Sequence, residues 1–351
     1  MSLREDLYNS RSDIDFQPLW RKSLPASAIA AALSAAFLLF LGLNLSIDFE
    51  GGGVWEVPVD DTVTVADGRA AVSGLEDARV QLIEDPDEGN FIRVQTGTAD
   101  IDRSSEIVAG LAELGEVSVD DVAVSTVGPT WGTQITNKAL RALALFFVAV
   151  AIYLAVALEW RMAVGALVAV VHDLVITAGV YALLAFEVSP ATVIALLTIL
   201  GYSLYDTVVV FDKVRENMGT TVGDGVTHTE LINRSMNQVL MRSINTTITT
   251  VLPVGSMLLV GGFLLGGGAL RGFALALFIG LILGTYSSIF VAAPVLAWLK
   301  EREPITEEDR RRQRRAAEDF GDGVDATEAG EARTAGVQAR ARKTKNRKKK
   351  R

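Results

Sequence analysis

The stretch Gly201-Tyr-Ser-Leu-Tyr-Asp206-Thr-Val-Val-Val-Phe-Asp212-Lys-Val-Arg-Glu-Asn217 decides how this chain is read, because it carries an acid inside an apolar run. From Ala191 to Phe211 the residues are almost wholly apolar. At about 1.5 Å rise per residue, a helix of that length crosses a hydrocarbon layer of roughly 30 Å. Asp206 lies within it. A charged side chain there costs at least about 2.5 kcal/mol on insertion scales, so it faces a partner helix or water and often marks an ion or proton path.

Outward from this stretch the same composition recurs. Half of the 351 residues are hydrophobic, gathered in runs that a soluble protein would not tolerate. Six spans are expected, at 26–45, 139–158, 162–186, 191–211, 243–265 and 272–299, which makes this a polytopic α-helical membrane protein. Arg21 and Lys22 precede the first span and are expected to hold residues 1–25 in the cytoplasm. No small-residue cleavage pattern follows, so the span reads as retained rather than as a signal peptide. Six spans then put both termini inside the cell and residues 46–138 outside it.

The segment 46–138 has soluble character. Gly53–Val59, Val80–Ile83, Phe91–Gln95 and Val117–Val124 alternate as strands do, while Ser104–Leu114 and, more weakly, Val65–Leu75 show helical spacing. The order β-α-β-β-α-β suits an extracytoplasmic α+β domain of ferredoxin-like type. Between Ile47 and Asn137 there are 19 acidic residues against 4 basic ones. We read this acidity as halophilic solvation rather than a cation-binding surface, since lysine is confined to Lys22, Lys138, Lys213 and Lys300 outside the carboxyl tail.

Residues 212–242 form a cytoplasmic loop with basic residues at Lys213, Arg215, Arg234 and Arg242. Thr227 and Glu230 have capping-box spacing, and Leu231, Ile232, Met236, Val239 and Leu240 make one apolar stripe. That stripe suits an amphipathic helix on the membrane surface or, equally, the leading turns of the fifth span. Asp212 beside Lys213 and Arg215 reads as a solvated interfacial pair. Gly261, Gly262 and Gly266–Gly268 read as an outer turn; no Walker lysine follows, so no nucleotide site is expected. Residues 300–351 are charged, end in 9 basic residues between Arg340 and Arg351, and are expected to be a disordered cytoplasmic tail in loose contact with lipid. Without cysteine, and with only His172 and His228, thiolate or histidine-cluster metal sites are excluded. No cofactor, enzymatic centre or specific nucleic-acid contact is expected.

The chemistry lies in the polar residues within the spans: His172, Asp173 and Thr177 in the third, Tyr202, Ser203, Asp206 and Thr207 in the fourth, and Arg242, Asn245, Thr246, Thr249 and Thr250 in the fifth. Spacings of three and four place each set on one helix face, so the three spans can turn wet faces toward one another. Asp206 and Arg242 both fall in cytoplasmic parts of their helices. Two readings stand side by side: a permanent buried ion pair that fixes packing, or a carboxylate that releases Arg242 when it takes a proton. Asp173 and Thr246 join them as ion-coupling candidates. Gly280 and Gly284 in the sixth span have the spacing that admits a close helix neighbour.

Taken with Asp48-Phe49-Glu50-Gly51-Gly52 after the first span, Val127-Gly128-Pro129 before the second and His172-Asp173 in the third, the Gly201–Asn217 stretch resembles the SecF family. SecF is the smaller half of the SecD and SecF export complexes. The resemblance covers roughly residues 16–300 in order. Its motif positions here are Asp48, Phe49, Gly51, Gly52, Gly128, Pro129, Gly201, Tyr202, Ser203, Thr207, Asp212, Arg215, Glu216 and Asn217. It implies a resistance-nodulation-division (RND) half-type membrane fold of six helices, with SecD supplying a related six. It further implies that Asp206 and Arg242 belong to an ion-conducting path for protons or sodium, and that the partners are SecD, the SecY channel with its small subunits, secreted polypeptide chains and membrane lipids. The polar Ser243–Thr250 segment and the acidic outer domain resemble archaeal, haloarchaeal members. Two other classes remain: a non-conducting scaffold subunit, and an RND-type small-molecule exporter, for which one outer domain is small.

Overall fold

The computed structural model describes residues 14–75, 78–85, 89–97, 102–220, 227–260 and 268–301. Six helices among them are long and apolar enough to cross a membrane: Gln17–Phe40, Thr130–Ala157, Trp160–Leu184, Pro190–Met218, His228–Val260 and Leu270–Lys300. In chain order the elements are α1 (Gln17–Phe40), β1 (Asn44–Leu45), α2 (Ile47–Glu50), β2 (Gly52–Val59), α3 (Val65–Ala71), β3 (Arg79–Asp85), β4 (Gly89–Thr96), α4 (Ser104–Gly115), β5 (Ala123–Val127), α5 (Pro129–Ala157), α6 (Trp160–Leu184), β6 (Glu187–Val188), α7 (Pro190–Thr220), α8 (His228–Met257) and α9 (Gly268–Ser287). A π-helical turn, Ser288–Ala292, then leads into α10 (Ala293–Lys300).

Span boundaries differ from those read off hydropathy, each for a local reason. α1 starts at Gln17, with Arg21, Lys22 and Pro25 inside it, and stops at Phe40, since Gly42 takes φ +71° and Asn44–Leu45 turns into β1. α5 starts well before residue 139, because Gly128 and Pro129 supply a cap and a pre-set first helical residue. Among the described residues of 212–242 there is no separate surface helix. α7 runs on to Thr220, and α8 begins at His228 with Thr227 and Glu230 closing the capping box, so its leading turns continue into the fifth span. The stripe Leu231, Ile232, Met236, Val239 and Leu240 is buried against Val214 and Met218 of α7 rather than laid on a membrane. Gly261, Gly262, Gly266 and Gly267, the end of the expected fifth span and the tail beyond Glu301 lie outside the described residues.

The outer domain has sheet order β3-β4-β2-β5, antiparallel at every pairing. Alternation along β2 turns Trp55, Val57 and Val59 to one face. There they pack with Ile92 and Val94 of β4 and with Ile107 and Leu111 of α4. The last strand is Ala123–Val127 and not Val117–Val124. Ser118 accepts from the Asp120 amide and Asp121 accepts from the Ser118 amide, which curls that stretch into a capped turn.

Both connections to the membrane lie side by side, because β2 and β5 pair from Gly52 opposite Val127. Asp48-Phe49-Glu50-Gly51-Gly52 forms the joint. Phe49 is buried among Tyr181, Val188, Ala195 and Ile199, and Thr136 of α5 donates to its carbonyl at 3.2 Å. Gly51 and Gly52 take φ +77° and +135°, and a Cβ at Gly52 would stand 2.1 Å from the Thr96 carbonyl oxygen, so only glycine fits this turn. β1 pairs in parallel with β6, pinning the outer end of α1 to the α6–α7 connection.

Candidate ion-coupling site

Two carboxylates are buried in the helical bundle, in different states of satisfaction. Asp173, on α6, is 0% exposed. Its Oδ2 accepts from Ser203 of α7 and Ser287 of α9, both at 2.6 Å, and its Oδ1 lies 3.0 Å from His172 Nδ1. Three helices therefore meet on one acid. The approach is possible because Gly284 lies against Ser203: a Cβ at 284 would stand 2.9 Å from the Ser203 Cβ. One turn outward, a Cβ at Gly280 would stand 2.4 Å from Ile199. Both glycines thus let α9 lie directly on α7.

Asp206, one turn further along α7 from Ser203, is 6% exposed. Its Oδ1 accepts from Ser243 of α8 at 2.7 Å, while its Oδ2 is buried with no hydrogen-bond partner among the described residues. Ser288 lies close to this carboxylate but bonds the Gly284 carbonyl at 2.8 Å and the Thr207 hydroxyl at 2.9 Å. The Ser203 carbonyl, 3.0 Å from Thr207 Oγ1, is the alternative acceptor for the one hydrogen of Thr207. A run of hydroxyls thus joins the neighbourhoods of the two acids.

Arg242 is not paired with Asp206. It donates to the Tyr205 hydroxyl at 2.8 Å while its neighbour Ser243 donates to Asp206, so adjacent residues on α7 and α8 are bridged in register. The fifth-span stripe divides between two faces. Ser243, Thr247 and Thr250 turn inward, the last two meeting Thr285 at 2.5 Å and Tyr202 at 3.0 Å. Arg242, Asn245 and Thr249 are exposed, as is Tyr205 at 54%. Thr246 bonds the Arg242 and Ser243 carbonyls of its own helix.

The remaining motif residues lie along α7. The Cβ position of Gly201 faces open space. Near the C-terminal end of α7 Asp212 pairs with Arg215 at 2.9 Å and Lys213 with Glu216 at 2.8 Å, both exposed pairs. Asn217 donates to Ser235 and Gln238 of α8 at 2.8 and 2.9 Å, tying α7 to α8 below the bundle. At the other end of the bundle Glu187 sits between the helices and the sheet. Burial raises its carboxyl above the usual range, Arg93 and Arg79 oppose this, and Asp48 and Glu56 add to it.

Sequence reading singled out Gly280 and Gly284 in the sixth span but passed over its serines. Ser287 and Ser288 contact the polar centre directly, and the signal available was a serine pair at three and four residues from Gly284.

Six spans closing on two buried acids, with one soluble domain between the first two, define an RND-like membrane protein. The family model for the protein export membrane protein SecD/SecF, C-terminal, matches residues 107–302, and the chain belongs to that family, with a SecF role in protein export. The protein translocase subunit SecF of Streptomyces coelicolor is 46% identical over 266 residues, 75% of this chain and 70% of that protein. SecF of Mycobacterium tuberculosis is 40% identical over 296 residues, 82% and 67% of the two chains. The crystal structure of SecDF from Thermus thermophilus superposes with a TM-score of 0.74 at 33% identity, covering 86% of this chain and 40% of that one. This chain therefore spans about two fifths of that SecDF protein. These relatives are bacterial, so they do not support the expectation of an archaeal, haloarchaeal member.

Proposed function

We propose that the chain couples the flow of an ion, proton or sodium, past Asp206 to movement of its outer domain during export. The observation that carries this is the unpartnered, buried Oδ2 of Asp206. A carboxylate oxygen without a donor is costly to keep charged, so the site favours binding a cation or a proton there. Moving one elementary charge through 100 mV is worth about 2.3 kcal/mol, enough to bias a two-state arrangement of helices. Asp173, with every oxygen occupied, serves as the fixed point against which α7 moves.

Arg242, Asn245 and Thr249 with Tyr205 present a polar face outward from the six helices. Hydrocarbon does not accept such a face, so it calls for a cover. A second set of six helices, supplied by SecD, is the partner we assign, with the path of Asp206, Arg242 and Thr246 at the junction. The outer domain, whose element and sheet order suit the ferredoxin-like plan, would face the extracellular side between cytoplasmic termini. Its two connections enter at the Asp48–Gly52 joint and Gly128–Pro129, so displacement of α7 and α5 reaches it. There it would hold and release a secreted chain leaving the SecY channel.

The test is export of a secreted reporter in cells whose only copy carries Asp206→Asn, with membrane level and SecD association followed in the same samples. Export should fall at least about tenfold with assembly intact. Normal export would leave a non-conducting scaffold as the better account.

A further inference from the structure

The sixth span is interrupted where it meets the two acids. At Ser288–Ala292 the backbone makes a π turn, with the Ala293 amide bonded five residues back to the Ser288 carbonyl. The next residue but one after the turn is Pro294, which has no N–H. In this register the proline leaves the Ile289 carbonyl without the amide that would follow; in a plain α register the Phe290 carbonyl would lose its donor instead. Both carbonyls have side chains of α1 beside them. Trp20 Nε1 donates to Ile289 O at 3.0 Å, and Ser23 Oγ reaches Phe290 O at 3.4 Å. Trp20 is 5% exposed and stacks on Phe16. The start of α1 is itself clamped to α8, where Asn237 exchanges two 2.9 Å hydrogen bonds with the backbone of Ile14 and Asn233 accepts from the Phe16 amide at 2.8 Å.

We propose that Ser288–Ala292 is a two-register element of the sixth span, and that Trp20 is the positioning residue that holds it in the π register. In that register Ser287 reaches Asp173 and Ser288 reaches Thr207. Sliding one residue into an α register rotates part of the span by about 100° relative to the rest and separates these hydroxyls from the polar centre. Trp20 serves the carbonyl left open in one register and Ser23 the carbonyl left open in the other. The two side chains therefore act in opposite senses. The clamp of Asn233 and Asn237 on residues 14–16 ties this choice to the cytoplasmic start of α8, whose next turns carry Arg242 and Ser243. The proposal rests on the ion-coupling reading of Asp206.

The experiment uses full-length protein in cells that export a reporter, titrated with whichever ionophore, protonophore or sodium ionophore, inhibits the unaltered protein. Trp20→Phe keeps an aromatic ring and removes the donor. It should lower the ionophore concentration that halves export roughly two- to tenfold, the size expected for one lost hydrogen bond, without loss of SecD association. Ser23→Ala should move the same midpoint the other way. Two shifts in the same direction, or a Trp20→Phe effect confined to protein level, would mean mere packing and overturn the proposal. An unchanged midpoint in Trp20→Phe beside an export-dead Asp206→Asn sinks the two-register element alone. Normal export by Asp206→Asn sinks the ion reading and this proposal with it.

Discussion

Asp173 and Asp206 are both acids in membrane helices, yet the bundle treats them in opposite ways. Asp173 has two serine hydroxyls and a histidine arranged around it, from three helices, and is sealed from solvent. Asp206 has one serine on one oxygen and, among the described residues, no hydrogen-bond partner on the other. A buried acid with both oxygens engaged suits a structural knot; one left half satisfied is open to another species that improves its situation. Burial alone does not separate the two. The inventory of donors does.

This contrast breaks most visibly under truncation. Asp173→Ala leaves His172, Ser203 and Ser287 facing a cavity without their acceptor, a loss on the order of 3–5 kcal/mol. The expected result is a collapse of membrane level in immunoblots of cells at ordinary growth temperature. Asp206→Ala, by contrast, should accumulate normally while failing to export. Equal loss of protein from both variants would erase the distinction drawn between the acids.

Next in size is the glycine that permits the knot. Gly284→Val puts a branched side chain where a single Cβ already stands 2.9 Å from Ser203. Overpacking of this kind typically costs about 1–3 kcal/mol. α9 should be pushed from α7, lowering the temperature at which the detergent-solubilised protein aggregates. Gly201→Val, on the same helix as Ser203 but with open space at its Cβ, should change that temperature far less.

How much of this could be read beforehand follows the same physics. The spans were legible because continuous apolarity has no other use at that length, and Asp206 stood out against it. Span ends were not, since α7 and α8 run on past their apolar stretches as ordinary amphipathic helices packed on each other. Helical spacing put Arg242 and the threonines of α8 on one stripe. It could not say that Ser243, 100° around the helix from Arg242, would take the inward place while Arg242 turned outward to Tyr205. Ser287 and Ser288 escaped because single hydroxyls can bond their own helix and raise no alarm in an apolar span. The π turn leaves no periodic trace at all; Pro294 was its only mark, and a proline near a helix end is commonplace. The joint at Asp48–Gly52 was legible as a motif and illegible as a mechanism until Gly52 was seen against Thr96.

A finer cut at the comparison removes the one donor Asp206 has. Ser243→Ala deletes the 2.7 Å hydrogen bond to Oδ1, worth about 1 kcal/mol net. If the half-open state of Asp206 is functional, the variant should still assemble and export, with a rate changed by no more than about fivefold in pulse–chase measurements. Complete loss would show that Ser243 does more than orient the carboxylate.

The smallest effect is expected outside the membrane, at the third acid whose surroundings set its charge. Glu187, on the connection between α6 and α7, is desolvated where the sheet sits on the bundle, and its carboxyl is raised from the ordinary value of 4.5. The folded protein therefore holds this proton more tightly than the unfolded chain does. Stability contributed by the site is greatest below 4.5 and falls as pH rises through the raised value, the cost being fully present above it. Arg93, shared with Glu56 at 2.5 Å, and Arg79 limit that cost. Glu187→Gln removes the titration and keeps the shape. Its melting temperature should exceed that of the unaltered protein by on the order of 2 °C at pH 7.5, and the gap should close toward pH 4. A gap of the opposite sign at pH 7.5 would mean that Arg93 and Arg79 outweigh burial. Glu187 would then be a satisfied acid like Asp173 instead of a strained one like Asp206.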